Sequence, residues 1–494
     1  MPKLTVLRGG AKWTLPFEGE RRLDELLMEN DLAVPQPCGG RGVCGKCAVE
    51  LSGHVSEPNA AERRAGHRLA CQAVLLGDAQ IILPDEARME QIALSGAAAA
   101  RAVRPMAGRL GAAVDVGTTT LACKLYDLQT GACLAEAGAR NPQSAVAADV
   151  MGRIGYALEG GLSTLQRQVT TAVEALLRGA CASAKAPFDA LDALVVTGNT
   201  TMLYLLTGRN PEPLSHAPFT ADCLFDLEAT LLGRRAYLPP CMNAFVGADI
   251  SCAVLASGQC DAQETSLLAD IGTNGEIALW RDGALYVAST AAGPAFEGAG
   301  ISCGCGSVRG AIDRVRVEGG RLCAYTIGDA CAVGVCGSGL IDAVAALVEL
   351  GEIDETGATD NERLELRDGV ALLPKDIRAV QLAKAAITAG MQTLMRSAQV
   401  RASDVAALYI AGGFGSHLNV RSAATIGLLP RELASRARVL GNAALAGATM
   451  LLLDTAELDH IRDIARRARF VNLGGNPLFN ELYVENMFFE AGEA

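Results

Sequence analysis

The sequence predicts a multidomain α/β protein, α+β overall. It has two unlike parts: a small N-terminal β unit around a cysteine loop, then a larger, two-lobed α/β unit. Three observations predict this. CGGRGVCGKC sets Cys38, Cys44 and Cys47 among four glycines near the N-terminus. A strand–glycine turn–strand pattern occurs twice, in AVDVGTTTLACKLYDLQTG (113–131) and LADIGTNGEIALWRDG (268–283). The length, 494 residues, exceeds what one core accommodates, so about two to four domains are expected.

Composition narrows the classes. Half the residues are hydrophobic and 20% charged, as in globular proteins, while aromatics at 4% leave the cores to Ala, Val, Leu and Ile. The 55 acidic residues exceed the 43 basic ones for a net charge of -12, and no Lys/Arg run offsets it. This excludes a nucleic-acid backbone as the expected partner. MPKLTVLRGGAKW lacks the apolar core of a secretory signal, and no apolar run reaches membrane-spanning length. Sixteen scattered cysteines without an export signal predict a reducing, cytoplasmic setting with no membrane partner.

In the N-terminal unit, KLTVL and WTLPF alternate like a hairpin, ERRLDELLMENDL is an amphipathic helix, CAVEL reads as a strand and AQIIL closes the unit. Cys38, Cys44 and Cys47 follow C-x5-C-x2-C, and RLACQ adds Cys71. Plant-type [2Fe–2S] spacing is C-x4-C-x2-C plus a distant cysteine, one residue shorter in the first gap. Gly39, Gly40, Gly42 and Gly45 let the backbone wrap a cluster, and Arg41 and Lys46 offset its charge. A structural zinc site is the alternative, although it favours two C-x2-C pairs and only one is present. His54 and His67 read as solvated.

ARMEQIALSGAAAARAVRPMAG has few large apolar residues and reads as a connector. In the repeat that follows, Asp115 matches Asp270, Gly117 matches Gly272 and Thr118 matches Thr273. Asp127 and Asp282 continue the match. Such turns aim converging N–H groups at phosphate, and an Asp closing the first strand suits Mg²⁺. LVVTGNTTM (194–202) is a buried strand entering a helix capped by Asn199. YIAGGFGSHLN (409–419) is a strand breaking into glycines, and LGNAALAGATMLLL (440–453) starts a helix packed through small residues. Cys303 and Cys305 form a second close pair that reads as buried thiols, with a redox-active pair as the alternative; Cys336 reads the same way, and the cysteines other than Cys38, Cys44, Cys47 and Cys71 read as core.

The N-terminal order resembles the β-grasp fold of [2Fe–2S] ferredoxins, with the longer first gap of the adrenodoxin-like and bacterial branch. The order hairpin, strand–helix, hairpin, GGFG, small-residue helix resembles the actin-like ATPases, a duplicated ribonuclease-H-like fold shared by sugar kinases, acetate kinase, seventy-kilodalton heat-shock chaperones and actin. The combination resembles the reductive activators of corrinoid-dependent enzymes. RNPQ (140–143), ADVMGRI (148–154), FVGADI (245–250), GPAFEGAGISCG (293–304), VCGSGLID (335–342) and AGGFG (411–415) carry that likeness, with RLACQ and the repeat. Some relatives have an additional module, for which little room exists between Cys71 and Asp115.

The resemblance implies a ferredoxin domain at 1–86, a linker at 87–112 and an actin-like ATPase at 113–494. Lobe one spans about 113–265 plus C-terminal helices from about 445; lobe two spans about 266–444. It implies a [2Fe–2S] cluster on Cys38, Cys44, Cys47 and Cys71, and ATP with Mg²⁺. Gly117, Thr118, Thr119 and Thr120, with Gly272, Thr273, Asn274 and Gly275, would hold phosphates. Asp115 and Asp270 would organise Mg²⁺, and Asp249 or Glu276 would orient water. Gly412, Gly413 and Gly415, with Gly337 and Gly339, would line the adenosine pocket.

The implied activity is ATP-dependent return of a Co(II) corrinoid protein to Co(I). The partners are that protein and an upstream reductase or ferredoxin, with a homodimer as the default. A plant-type cluster sits at roughly -400 mV, and a further gap of about 100 mV costs roughly 2.3 kcal/mol. Three rivals remain: an activator of another low-potential enzyme such as a 2-hydroxyacyl-CoA dehydratase, a small-metabolite kinase with a structural or sensory cluster, and an electron carrier with a vestigial nucleotide site.

Overall fold

The structure, a computed structural model, describes residues 1–8, 10–30, 32, 34, 42, 47–83, 104–413 and 418–489. Cys38, Cys44, Arg41, Lys46, Phe414, Gly415 and most of the expected linker therefore lie outside the described residues. Among those described, no helix is long and apolar enough to cross a membrane.

The N-terminal unit is one mixed sheet with a helix across it. β1 (Lys3–Arg8) and β2 (Ala11–Pro16) form the hairpin, α1 (Leu23–Glu29) follows, and β3 (Ala48–Val55), α2 (Ala60–Ala65) and β4 (Val74–Ile82) complete it. These strands lie in the order β2-β1-β4-β3, with β1 and β4 parallel. Leu4, Val6, Leu75 and Ile81 project from the central strands onto Leu23 and Leu27 of α1, all fully buried. The alternation is that of a sheet with one face on a core.

The rest holds two six-stranded sheets of matching design. The first uses β5 (Leu110–Val116), β6 (Thr120–Asp127), β7 (Cys133–Arg140), β8 (Leu191–Gly198), β9 (Leu227–Leu231) and β10 (Arg234–Leu238), in the order β9-β10-β8-β5-β6-β7. Its helices are α3 (Val150–Tyr156), α4 (Leu162–Ser183), α5 (Thr200–Thr207) and α6 (Ala248–Ser257). The second uses β11 (Ser266–Ile271), β12 (Gly275–Arg281), β13 (Ala284–Thr290), β15 (Ala407–Ala411), β16 (Ala437–Gly441) and β17 (Ala468–Phe470), in the order β16-β15-β11-β12-β13-β17. Between β13 and β15 come β14 (Ala311–Glu318), α7 (Gly337–Glu349) and α8 (Pro374–Ser397); α9 (Ala443–Leu453) and α10 (Glu457–Arg467) precede β17.

The duplication is structural as well as sequential. In each sheet an antiparallel meander, β5-β6-β7 or β11-β12-β13, is flanked by a parallel strand, β8 or β15, then another, β10 or β16. Asp115 and Asp270 occupy the same place, near the end of the strand that pairs with both neighbours. Asp127 accepts from the N–H of Gln129 and Thr130 in its turn, while Asp282 and Gly283 form the β12–β13 turn, both at positive φ.

Both sheets are covered on both faces, so their inner strands read as unbroken apolar runs such as LGAAV. On β5, Ala112, Val114 and Val116 face one core with Leu165, Val169, Val173 and Leu176 of α4. Ala113 faces the other way, into a core shared by both sheets in which α6 and α9 lie. Helix approach there is close: a Cβ added at Gly447 of α9 would stand 2.0 Å from the Cys252 carbonyl oxygen of α6. The helix that follows LVVTGNTTM, α5, packs against α4, whereas α6 runs into β11 and packs on α9, so α6 carries the chain from one lobe to the other.

The C-terminal run divides. Helix α9 lies on β5 and β8, whereas β17 pairs with β13, and the helix Pro477–Glu485 packs on α8 of the second lobe. Not all cysteines are core. Cys123, Cys181, Cys241, Cys252, Cys260 and Cys336 are buried, but Cys303 and Cys305 are half-buried, as are Cys223 and Cys323, and Cys133 and Cys331 are exposed. Cys133 begins β7, an edge strand with only one neighbour, which is why hydrophobicity misplaces it.

Candidate functional site

The two halves of the candidate site are a cysteine pair in the N-terminal unit and a cleft between the repeated hairpins. Cys47 and Cys71 are buried, with the Cys47 thiol pointing at the Cys71 sulfur at 3.3 Å. Thiolates on one tetrahedral ion with ~2.3 Å bonds stand about 3.8 Å apart, so the pair fits a shared iron with a shift of a few tenths of an ångström. The hydrogen bond from Cys47 pulls the Cys71 thiol down to about 6; burial opposes this, and the Gln72 amide and the Gly42 N–H assist. Cys71 is thus poised as the thiolate an iron centre needs.

A scaffold holds that turn. Asn59 caps α2 in a capping box with Glu62, and its amide donates to Gln72 Oε1 at 2.9 Å. Gln72 donates in turn to the Cys71 carbonyl at 3.0 Å. Glu62 accepts from Arg68 Nε at 2.9 Å and Leu69 N–H at 3.0 Å. Burial alone would raise its pKa, but the N–H groups of Leu69 and Asn59 and the Arg68 guanidinium hold it below the usual range. Gly42 sits at φ +68°, where a Cβ would stand 2.9 Å from the Gln72 side chain. His54 and His67 are exposed. Two of the four expected ligands thus meet in a prepared site; Cys38 and Cys44 fall outside the described residues.

The cleft has a volume of ≈ 1150 Å³ counted out to its open mouth. Its lining includes Asp115, Gly117, Thr118, Thr119 and Thr120 from the first hairpin, and Asp270, Gly272, Thr273, Asn274 and Glu276 from the second. Asp249, Gly337, Gly412 and Gly413 also line it. Gly275 and Gly339 lie behind the wall: a Cβ at Gly275 would meet Ile387 and Thr290 at 2.9 Å, and one at Gly339 would meet the Ile312 carbonyl at 2.1 Å. Both serve close packing. Gly412, at φ +110° just after β15, allows a close approach of two backbones, since an added Cβ would stand 2.5 Å from the Ile271 carbonyl oxygen.

Five carboxylates face this cleft, Asp115, Asp249, Asp270, Glu276 and Glu297, and its described lining has no Lys, Arg or His. Burial pushes Asp115 up to about 6, with the Asn442 amide, donating to its Oδ2 at 2.9 Å, pulling the other way. Asp270 rises to about 7 through burial, then the charges of Asp115 and Glu297. Asp249, at the start of α6, rises to about 8 through burial, then Asp270 and Asp115. Glu276, directly opposite Asp270 across the β11–β12 pair, rises well above the usual range through burial, then Asp249 and Asp270. Among the described residues no three His, Cys, Asp or Glu side chains form a metal nest of their own. A divalent cation would complete its shell with water and ligand oxygens, the usual habit of Mg²⁺.

The first turn is braced from behind. Asn141, fully buried, donates through Nδ2 to the Gly117 carbonyl and through its backbone N–H to the Thr119 carbonyl, both at 2.8 Å. Arg153, fully buried on α3, donates to the Thr118 carbonyl at 2.6 Å and to Gln143 Oε1 and the Ala147 carbonyl at 3.1 Å. Burial draws the Arg153 pKa down to about 10, against the opposing charges of Asp149 and Glu297. With its carbonyls occupied this way, the turn is fixed in shape. Asn199 caps α5 by accepting from the Met202 N–H, and its amide donates to the Thr118 hydroxyl, both at 2.9 Å.

Three family models match the chain. They are the 2Fe-2S iron-sulfur cluster binding domain over residues 8–76, the RACo middle region over 110–261, and the C-terminal domain of RACo, the ASKHA domain, over 264–494. The corrinoid activation enzyme RamQ of Eubacterium limosum is 34% identical over 419 residues, 77% of this chain and 70% of its own. The chain belongs to the RACo family of corrinoid reductive activators. The [Co(II) methylated amine-specific corrinoid protein] reductase of Methanosarcina barkeri is 26% identical over 416 residues, 76% of each chain. A solved reductive activator for corrinoid, iron-sulfur protein superposes with a TM-score of 0.73 at 27% identity, covering 98% of both chains. As the RACo models imply, the fold is a [2Fe–2S] ferredoxin domain followed by an actin-like ATPase.

RACo membership also explains motifs that read only as signatures. RNPQ and ADVMGRI supply Asn141, Gln143 and Arg153, the braces of the first turn. Glu297, Ser307, Cys305 and Asn442 line the cleft without having been singled out for it. A lone polar residue among glycines and alanines, as in GPAFEGAG and LGNAALAG, was the signal available.

Proposed function

We propose that this protein is an ATP-dependent reductive activator, returning an inactive Co(II) corrinoid protein to Co(I) by electron transfer from its [2Fe–2S] cluster. The observation that carries the nucleotide half is the carboxylate-lined cleft between two glycine turns. A bare triphosphate is repelled there, whereas a Mg²⁺–nucleotide complex brings the charge that the five acids demand. The thiolate-ready Cys71 beside Cys47 supports the electron half.

The roles follow position. N–H groups of the turns at Gly117–Thr120 and Gly272–Asn274 hold phosphates, with Gly275 supporting the second turn from its strand. Asp115 and Asp270 orient the hydrated cation. Asp249 or Glu276 directs the attacking water once the cation's charge has displaced the proton that burial and the neighbouring carboxylates favour on it. Gly412 and Gly413 receive the nucleoside with Gly337 beside them; Gly339 supports that wall from behind through close packing, and Gly415, which follows Gly413 in the sequence, lies outside the described residues. Cys38, Cys44, Cys47 and Cys71 hold the cluster, which supplies one electron at roughly -400 mV when bound. The division 1–86, 87–112 and 113–494 goes with this reading, although the strand bearing Asp115 starts at Leu110.

Nucleotide drives the step if the lobes hold the Co(II) partner differently with and without it; a coupling of a few kcal/mol covers an uphill gap of about 100 mV. An upstream reductase or ferredoxin reloads the cysteine site in the cytoplasm. Anaerobic spectroscopy of a Co(II) corrinoid protein with this protein and a reductant tests the reading. Co(I) absorbance is expected only when Mg·ATP is added. Co(I) formed equally without ATP, or not at all, overturns it.

A further inference from the structure

The stretch GPAFEGAGISCG reaches the cleft through Glu297, for which the reading above has no role. Glu297 ends a single 3-10 turn, Pro294–Glu297. Gly298 behind it is pressed onto the Cys305 backbone, where an added Cβ would stand 2.7 Å from the Cys305 carbonyl oxygen. From this anchored position the carboxylate spans both hairpins. The Thr119 hydroxyl of the first turn donates to Oε2. Thr273 of the second donates twice, by its N–H to Oε1 and by its hydroxyl to Oε2, each at 2.9 Å.

Three donors from two glycine turns, one of them a turn N–H, thus converge on a single anion. That is the donor set such turns offer a phosphoryl group. The anion also lies within charge range of Arg153, the buried cation that braces the first turn. Four other carboxylates crowd the same cleft, so a fifth is costly there unless those donors hold it.

We propose that Glu297 is a displaceable phosphate surrogate. Its carboxylate holds the terminal-phosphate donors and ties the two lobes together until Mg·nucleotide takes those donors and expels it. This rests on the nucleotide reading of the cleft. Two consequences follow, each opposite in sign to what a supporting or water-orienting glutamate gives. Removing the negative charge removes a competitor, so affinity for nucleotide rises. Expelling the side chain releases the 294–305 segment, so nucleotide loosens that segment instead of tightening it.

The test uses the intact cluster-loaded protein and Mg²⁺ with a non-hydrolysable ATP analogue. Calorimetry is expected to show Glu297→Gln binding about tenfold more tightly than wild type, the scale of lost competition from one charged hydrogen-bond set. Hydrogen exchange of the wild type, which needs no variant, is expected to speed up over 294–305 when the analogue binds. Equal or weaker binding by Glu297→Gln, or slower exchange in that segment, overturns the surrogate alone. Absence of binding by both forms overturns the nucleotide reading and the surrogate with it.

Discussion

Asp115, Asp249, Asp270 and Glu276 are buried together at the cleft, and that crowding sets how stability varies with pH. Their folded-state pKa values are raised, to about 6, 8 and 7 for the three aspartates and well upward for Glu276. Between the ordinary carboxylate range near pH ~4 and pH ~8 the folded chain therefore binds more protons than the unfolded one. The stability this contributes is fully present below that window and is lost as pH climbs through it. The thermal midpoint without nucleotide is expected to fall from pH 6 to pH 8, and Mg·ADP to raise it more at pH 8 than at pH 6. Scanning fluorimetry at both pH values, with and without Mg·ADP, checks this; a nucleotide effect independent of pH contradicts it. The same quartet predicts proton release when the Mg²⁺ complex binds, readable by titration calorimetry in two buffers of different ionisation enthalpy.

Among the elements, the first hairpin depends on helix α3 and the α6–α9 contact depends on one missing methyl. Arg153→Met strips the donors from the Thr118 and Ala147 carbonyls inside the protein and is expected to cost roughly 3 kcal/mol or more. Nucleotide affinity should fall with it, since the turn loses its fixed shape; chemical denaturation and calorimetry report the two effects. Gly447→Ala forces a carbon to within 2.0 Å of the Cys252 carbonyl oxygen, so α6 and α9 must part, at a cost of about 2 kcal/mol. A melting temperature unchanged by that substitution would contradict the packing. Much of this architecture was legible: the twin D-x-G-T turns, the Asn199 cap and the small-residue helix are local signals that tertiary contacts did not alter. What was hidden is relational. That Arg153 lies under Thr118 depends on how α3 folds back beside α5 and the first turn, and no spacing encodes this. The cross-lobe role of α6 was missed because FVGADI resembles an ordinary helix start. Exposed Cys133 was misjudged because residue type says nothing of sheet edges.

At the scale of the whole molecule the two chemistries reside in separate units and should be separable. Cys71→Ser is expected to abolish the visible cluster absorbance while leaving Mg·nucleotide binding intact. Asp115→Ala is expected to do the reverse, abolishing nucleotide hydrolysis with absorbance unchanged; loss of both properties from either change would contradict the division. The path of the chain between the lobes adds a mechanical point. It passes from the first sheet to the second after α6, returns between β16 and α9, and crosses again where α10 gives way to β17. Two bodies joined by a single tether can swivel in any direction, whereas three separated crossings leave little more than one axis of rotation, like a lid on a row of pins. Whatever a bound nucleotide does to one jaw, the other can answer only by swinging along that arc, so a partner seated across the jaws would feel a push of fixed direction.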